Sequence, residues 1–137
     1  MQTYKYTIYL ALAGIVLLTI GSYISFAPAD YLTQFGMQNT GNTNFYSDLR
    51  AMGGSLAVFG FVSIWGALQK SAQTMALFTS AIVFSAYALF RFIAFMLDGT
   101  PGTVILGAAI IELVFAVIGW ALFISNKLST RTLSVQY

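Results

Sequence analysis

The sequence predicts an all-α, polytopic membrane protein built as a bundle of four transmembrane helices, with both termini in the cytoplasm. Of the 137 residues, 58% are hydrophobic and 7% are charged, whereas about a quarter of the residues in a soluble domain are charged. Most of the apolar residues fall into four blocks, each long enough to cross a bilayer. Because little sequence remains outside these blocks, residues 1–137 are interpreted as a single membrane domain.

The four predicted helices cover about residues 6–27, 48–68, 75–97 and 104–124. The first block is uncharged and ends at Pro28, which cannot continue a helix. A cleaved signal peptide is the alternative interpretation, because Ala27-Pro28-Ala29 resembles a small-residue cleavage site. The apolar run is about twice as long as a typical signal core, which favours a retained helix.

Residues 28–47 form the one long polar connection between predicted helices. Within it, Tyr31, Leu32 and Phe35 follow a helical spacing, which predicts a short amphipathic helix at the membrane interface. Residues 39–44 are rich in Asn, Thr and Gly and predict an exposed loop. The segment is either a lid over the bundle or a solvated connector.

The charges outside the apolar blocks predict the orientation of the chain. One side carries the basic residues Lys5, Lys70, Lys127 and Arg131, the last two in a short basic tail at residues 127–137. The other side carries Asp30, Asp48 and Asp98. Since loops rich in Lys and Arg stay in the cytoplasm, both termini are expected there.

The residue types that the chain lacks exclude several kinds of chemistry. Without cysteine there is no thiolate nucleophile, iron–sulfur cluster or Cys-based zinc site. Without histidine, the commonest general base and the usual haem ligand are missing. The net charge of +2 is small and scattered, which argues against nucleic acid as a partner. We therefore predict no catalytic residue, no metal site and no cofactor.

An ionisable cluster near the predicted outer ends of the helices is the one feature that hydrophobicity does not explain. Arg91 and Glu112 flank the predicted turn at residues 98–102, each roughly 10–15 Å below it at about 1.5 Å per residue. A charged side chain at mid-helix costs about 2.5–3.5 kcal/mol, so such residues should face inward and pair. We predict a buried Arg91–Glu112 salt bridge, with Arg50 reaching the same carboxylate and Asp98 closing the network near the surface.

The predicted network or ligand-binding residues are Asp48, Arg50, Tyr87, Arg91, Asp98 and Glu112. Small residues are expected to let the helices approach closely. Those singled out for helix packing are Gly53, Gly54, Ala108 and Ala109. Because Glu112 shares a helix face with Ala108 and Ala109, it should point toward neighbouring helices.

Three functions are compatible with such a cluster. It could bind the head group of a lipid-like or small amphipathic ligand, or seat a membrane partner subunit or a second copy of the chain. It could instead only hold the helices in register, because buried ion pairs specify an arrangement better than they stabilise it. The alternative is a membrane enzyme of the lipid-isomerase kind, or a proton-coupled carrier, that uses Glu112. Membrane lipids are expected contacts in every case.

The order of these residues resembles a known family. The residues that carry the resemblance are Asp48, Arg50, Gly53, Gly54, Arg91, Asp98-Gly99, Pro101 and Glu112. In this order the chain, from Tyr6 to about Ser125, is similar to the small bacterial four-helix membrane proteins grouped as domain of unknown function family 4345. That family usually has Glu where Asp48 stands and Gly where Phe90 stands. The resemblance implies four helices in the bacterial inner membrane and implies no reaction.

Overall fold

The computed structural model describes residues 2–37 and 41–134. Five α-helices follow one another: α1 (Gln2–Phe26), α2 (Pro28–Thr33), α3 (Thr43–Leu68), α4 (Gln73–Asp98) and α5 (Thr103–Ser134). A 3-10 turn at Lys70–Ala72 joins α3 to α4. Neither described range contains a strand, and four of the helices (α1, α3, α4 and α5) are long and apolar enough to cross a membrane. The predicted all-α, four-span fold is confirmed.

Two helix boundaries differ clearly from the predicted ones. Helix α3 begins at Thr43 rather than about residue 48 because Asn42 caps it: the Asn42 side-chain oxygen accepts hydrogen bonds from the backbone N–H groups of Asn44 (3.0 Å) and Phe45 (3.2 Å). Helix α5 runs through the predicted tail to Ser134. Residues 38–40 of the predicted loop and residues 135–137 of the tail lie outside the described ranges.

Helices α1 and α3 form a tight pair whose axes approach along a seam of glycines. A Cβ atom on Gly60 would lie 2.5 Å from the backbone nitrogen of Leu18, and one on Gly53 would lie 2.7 Å from the carbonyl oxygen of Gly21. Only glycine fits at such positions, since the backbone of the facing helix occupies the place of the side chain. Helices α4 and α5 form the second pair.

The two pairs join at one end of the bundle. We call the end that holds Gln2, the Lys70–Ala72 turn and Ser134 the terminal end, and the opposite end, with α2 and the α4–α5 turn, the loop end. In the terminal half, the buried hydroxyls of Ser63 and Ser80 lie 2.7 Å apart, and the Tyr9 hydroxyl donates to the carbonyl of Phe115 at 2.9 Å.

The contiguous core occupies the terminal half and the middle of the bundle, and the buried residues described at the loop end belong to α1, α2 and α3, among them Ile24, Leu32 and Gly53. The largest fully buried side chain of the core is Phe84, which stacks on Phe115 with ring centroids 4.7 Å apart. From residue 85 to residue 115, all of them described, no residue is fully buried. The loop halves of α4 and α5 are consequently much less covered than the rest of the bundle, and this is where Arg91 and Glu112 lie.

Candidate binding site at the Arg91–Glu112 ion pair

Arg91 of α4 and Glu112 of α5 form an ion pair between the two helices. The Arg91 Nε donates to Glu112 Oε2 at 2.6 Å, and this is the one salt bridge among the side chains that the structure describes. The side chains are 25% and 13% exposed, so the expectation of a buried salt bridge is wrong. The pair is partly buried because the loop halves of α4 and α5 lack the cover that the core gives farther down.

The turn between the two helices brings the pair to one level. Helix α4 ends at Asp98, and Gly99 follows with a φ of 93°, a conformation that favours glycine and reverses the chain. At about 1.5 Å per residue, Arg91 lies about 10 Å before the end of α4, and Glu112 lies about 14 Å after the start of α5. Two long side chains bridge the remaining difference.

The ion pair leaves several polar atoms without a protein partner. Arg91 uses only Nε, so neither Nη1 nor Nη2 donates to a described residue, and Glu112 Oε1 accepts from none. Among the described residues, no side-chain nitrogen or oxygen is both fully buried and without a hydrogen-bond partner. These unpaired atoms must therefore reach the surface of the protein, where a ligand, a lipid, water or another chain can meet them.

Two tyrosines complete the polar surroundings of the pair. Tyr87, one turn before Arg91 on α4, lies close enough to Arg91 and Glu112 for their charges to act on its hydroxyl. Tyr31 of α2 also lies within range of both charges. Neither hydroxyl makes a hydrogen bond with a described residue, and neither is buried beyond reach.

Tyr31 was not among the predicted site residues. Burial raises its pKa above 10.0; the positive charge of Arg91 opposes this rise and the negative charge of Glu112 adds to it. Its ring is held by edge contacts to Tyr23 (6.1 Å between centroids) and Phe35 (5.0 Å), and Gln34 ties α2 to the Tyr23 hydroxyl at 3.0 Å. Helix α2 itself packs on α1 and α3, and no spacing in the sequence could reveal that Tyr31 lies within range of the charges on α4 and α5, because this depends on how the helices assemble.

The other charged residues of the predicted network do not join the pair. The Arg50 guanidinium donates through Nη1 to the carbonyl of Ser25, and the Ser25 hydroxyl donates back to the carbonyl of Arg50 at 2.9 Å. Ser25 lies in the last turn of α1, where carbonyls lack helical partners and the dipole attracts a cation. The side chains of Asp48 and Asp98 are exposed and bind no described residue.

The predicted packing residues fall into different surroundings. Gly53 lies directly against α1, whereas a Cβ on Gly54 would be 3.7 Å from the Ser25 hydroxyl, an ordinary contact. Ala108 is half-buried. Ala109 lines an apolar groove between α4 and α5 instead of a helix seam.

This apolar groove encloses about 660 Å³ on another face of the same helix pair. Its lining includes Leu89, Phe92 and Leu113 but none of the ionisable residues of the site. The polar groups in its wall are satisfied internally, since the Trp120 indole N–H donates to the Ser85 hydroxyl at 2.9 Å. Among the described residues, no three acidic side chains lie close enough together to hold a metal ion.

Comparison with known proteins identifies one family. The family model described as "Domain of unknown function (DUF4345)" matches residues 6–123, which cover most of each of the four membrane spans and both partners of the ion pair. No curated protein and no solved structure matches the chain.

Proposed function

The chain belongs to the family Domain of unknown function (DUF4345), and from its site we propose that it is a small multi-pass membrane protein that binds a lipid-like or small amphipathic ligand at the Arg91–Glu112 pair. One observation carries the proposal: Arg91 keeps both terminal amino groups unpaired although it lies in a membrane-spanning helix. Such a donor needs a partner, because hydrocarbon offers none. We further propose the bacterial inner membrane as its location, as the family resemblance implies.

The tyrosines and the lack of cover support a ligand site over a closed network. Tyr31 and Tyr87 add two hydroxyls to the unpaired amino groups, and both lie within range of the Arg91 and Glu112 charges. A polar head group in contact with Arg91 would satisfy these donors, while its apolar part would lie along the uncovered halves of α4 and α5.

A structural lock is the competing role for the pair. It is favoured by the short Nε–Oε2 distance of 2.6 Å, which joins the two helices directly. A lock alone, however, requires no unpaired Nη groups and no second tyrosine from α2. A partner subunit could meet the same donors from outside, and binding experiments distinguish it from a lipid by its mass.

A membrane enzyme of the lipid-isomerase kind, or a proton-coupled carrier, remains the alternative function. It is supported by Glu112 Oε1, which accepts no hydrogen bond from a described residue. Tyr31 and Tyr87, whose hydroxyls could pass a proton, lie within range of the Glu112 charge. Either function would require Glu112 to change its protonation state, so substitution by Gln would abolish turnover or transport while ligand binding persisted.

Native mass spectrometry of the protein extracted in mild detergent tests the proposal. We expect the wild type to carry a bound lipid-like molecule and Arg91→Gln to carry about ten times less, since a lost hydrogen bond to a charged group is worth about 1.5–3 kcal/mol. Asp98→Asn is the matched control, because Asp98 lies at the same end, is exposed and forms no ion pair with a described side chain. Equal occupancy in all three proteins, or no bound molecule in the wild type, would contradict the proposal.

A further inference from the structure

The candidate site has no net charge, and this restricts its ligand. Arg91 contributes one positive charge and Glu112 one negative charge. The other ionised groups at the loop end do not pair with either side chain: Arg50 is bonded to Ser25, and Asp30, Asp48 and Asp98 are exposed and form no ion pair with a described residue. A ligand with a net negative charge would place that charge beside the Glu112 carboxylate, where the membrane weakens solvent screening.

The unpaired atoms also define which groups the ligand must present. Arg91 Nη1 and Nη2 carry four N–H groups, and Tyr31 and Tyr87 each carry a hydroxyl, so several acceptor oxygens are required. Glu112 Oε1 is a free acceptor beside them, so the ligand should also present an N–H or O–H donor. The ligand must therefore present acceptor atoms to Arg91 and a donor to Glu112 within one site.

The depth of the site matches the head-group region of one leaflet. Helix α4 has 26 residues and is about 39 Å long, whereas the hydrocarbon layer is about 30 Å thick. If the excess is shared by both ends, Arg91, about 10 Å from the loop end, lies about 5 Å inside the hydrocarbon boundary. From there its guanidinium can reach the phosphate level of a lipid.

From these three features we infer that the site takes a zwitterionic phospholipid head group that carries an N–H donor, as phosphoethanolamine does. The phosphate oxygens accept from Arg91 and the tyrosines, and the ammonium donates to Glu112 Oε1. The sum of charges in the occupied site stays at zero. The inference rests on the proposed function and names the chemical class of its ligand.

A competition among three lipids tests this choice. The wild type is exchanged into mixed micelles with equal amounts of phosphatidylethanolamine, phosphatidylglycerol and phosphatidylcholine, and retained lipids are weighed by native mass spectrometry. We expect about tenfold more phosphatidylethanolamine than either competitor. Phosphatidylglycerol has hydroxyl donors but brings net negative charge beside the Glu112 carboxylate, and phosphatidylcholine has neither an N–H nor an O–H group to donate to Glu112 Oε1.

Substitution of Glu112 should reverse the preference. In Glu112→Gln the site carries a net positive charge, so we expect phosphatidylglycerol to be retained severalfold over phosphatidylethanolamine, whereas Asp98→Asn should keep the wild-type order. Tyr31→Phe, which alters a helix outside the membrane spans, should lower the retention of all three lipids without changing their order.

The outcomes separate this inference from the proposed function. Lipids retained by the wild type without preference for phosphatidylethanolamine, or with phosphatidylglycerol ahead, overturn the inference alone. An unchanged order in a folded Glu112→Gln overturns it as well. The absence of any retained lipid in the wild type overturns the proposed function and the inference together.

Discussion

Arg91 donates one of its five N–H groups to Glu112, and the partners of the others decide what the pair does. An ion pair that is partly exposed contributes little to stability by itself. Its two oppositely charged side chains can nevertheless hold four further donors at a fixed place between α4 and α5. These unpaired donors are the reason for proposing a ligand site instead of a purely structural role.

A double substitution distinguishes the two roles. Arg91→Leu should lower the free energy of unfolding by about 1–3 kcal/mol, because it leaves the Glu112 carboxylate without its partner. Arg91→Leu/Glu112→Leu should recover most of that loss, because neither charge remains. Thermal unfolding in detergent measures both changes. We expect the double variant to have lost its bound lipid; a refolded double variant with wild-type lipid content would show that the pair is only a lock.

Some contacts of the individual charged residues could be predicted from the sequence, and others could not. Equal depth on neighbouring helices was sufficient to predict that Arg91 and Glu112 meet. Depth and helix face also predicted that Arg50 joins the ion pair. These criteria take no account of the free carbonyl of Ser25 at the end of α1, which accepts a hydrogen bond from the Arg50 guanidinium. Tyr31 was overlooked as a site residue because its neighbours come from elements distant in the chain.

The glycines of α3 carry no side chain and so let this helix pack directly against the backbone of α1. Its glycines Gly53 and Gly60 face backbone atoms of α1, and the facing Gly21 has α3 backbone where its own side chain would be. The small residues of α3 predicted a close approach, but not which helix would make it. The identity of the partner emerges only when the two helix surfaces are matched.

Alanine substitutions at two glycines test the seam. Gly60→Ala should destabilise the protein by about 1–3 kcal/mol, because the added methyl group meets the backbone of Leu18 and forces the helices apart. Gly107→Ala is the matched control: no atom lies within 4 Å of its Cβ position, and alanine improves helix propensity by up to about 1 kcal/mol. Thermal unfolding of the two variants in the same detergent compares them. Equal effects of both substitutions would contradict the close seam.

The two helix pairs of the bundle pack together in its terminal half and leave the loop halves of α4 and α5 largely uncovered. Hydrogen bonds and the tilted contact between the rings of Tyr9 and Phe115 join the two helix pairs in the terminal half. In the loop half, the ion pair and Tyr87 lie on stretches of α4 and α5 without a buried residue, whereas the short helix α2 buries Pro28 and Leu32. The packed core and the proposed ligand site thus lie in different halves of one small protein.

The orientation of the bundle in the membrane remains a prediction from its charges, and the lack of native cysteine makes it easy to test. Ser71→Cys lies in the exposed turn at the terminal end, and Thr100→Cys lies in the exposed turn at the loop end. We expect a membrane-impermeant maleimide to label Thr100→Cys from outside intact cells or spheroplasts, and Ser71→Cys only after the membrane is permeabilised. The opposite pattern would invert the predicted topology.

Hydrophobic block length and the fixed rise of a helix are enough to predict the fold class, the number of membrane spans and the meeting of Arg91 with Glu112. Three further features follow only from the assembled bundle: the ion pair is partly exposed, Arg50 caps α1, and Tyr31 of α2 lies within range of the pair. Those features depend on how far the two helix pairs cover one another. That cover is set by packing between elements distant in the chain, which the periodicity of a single helix does not encode.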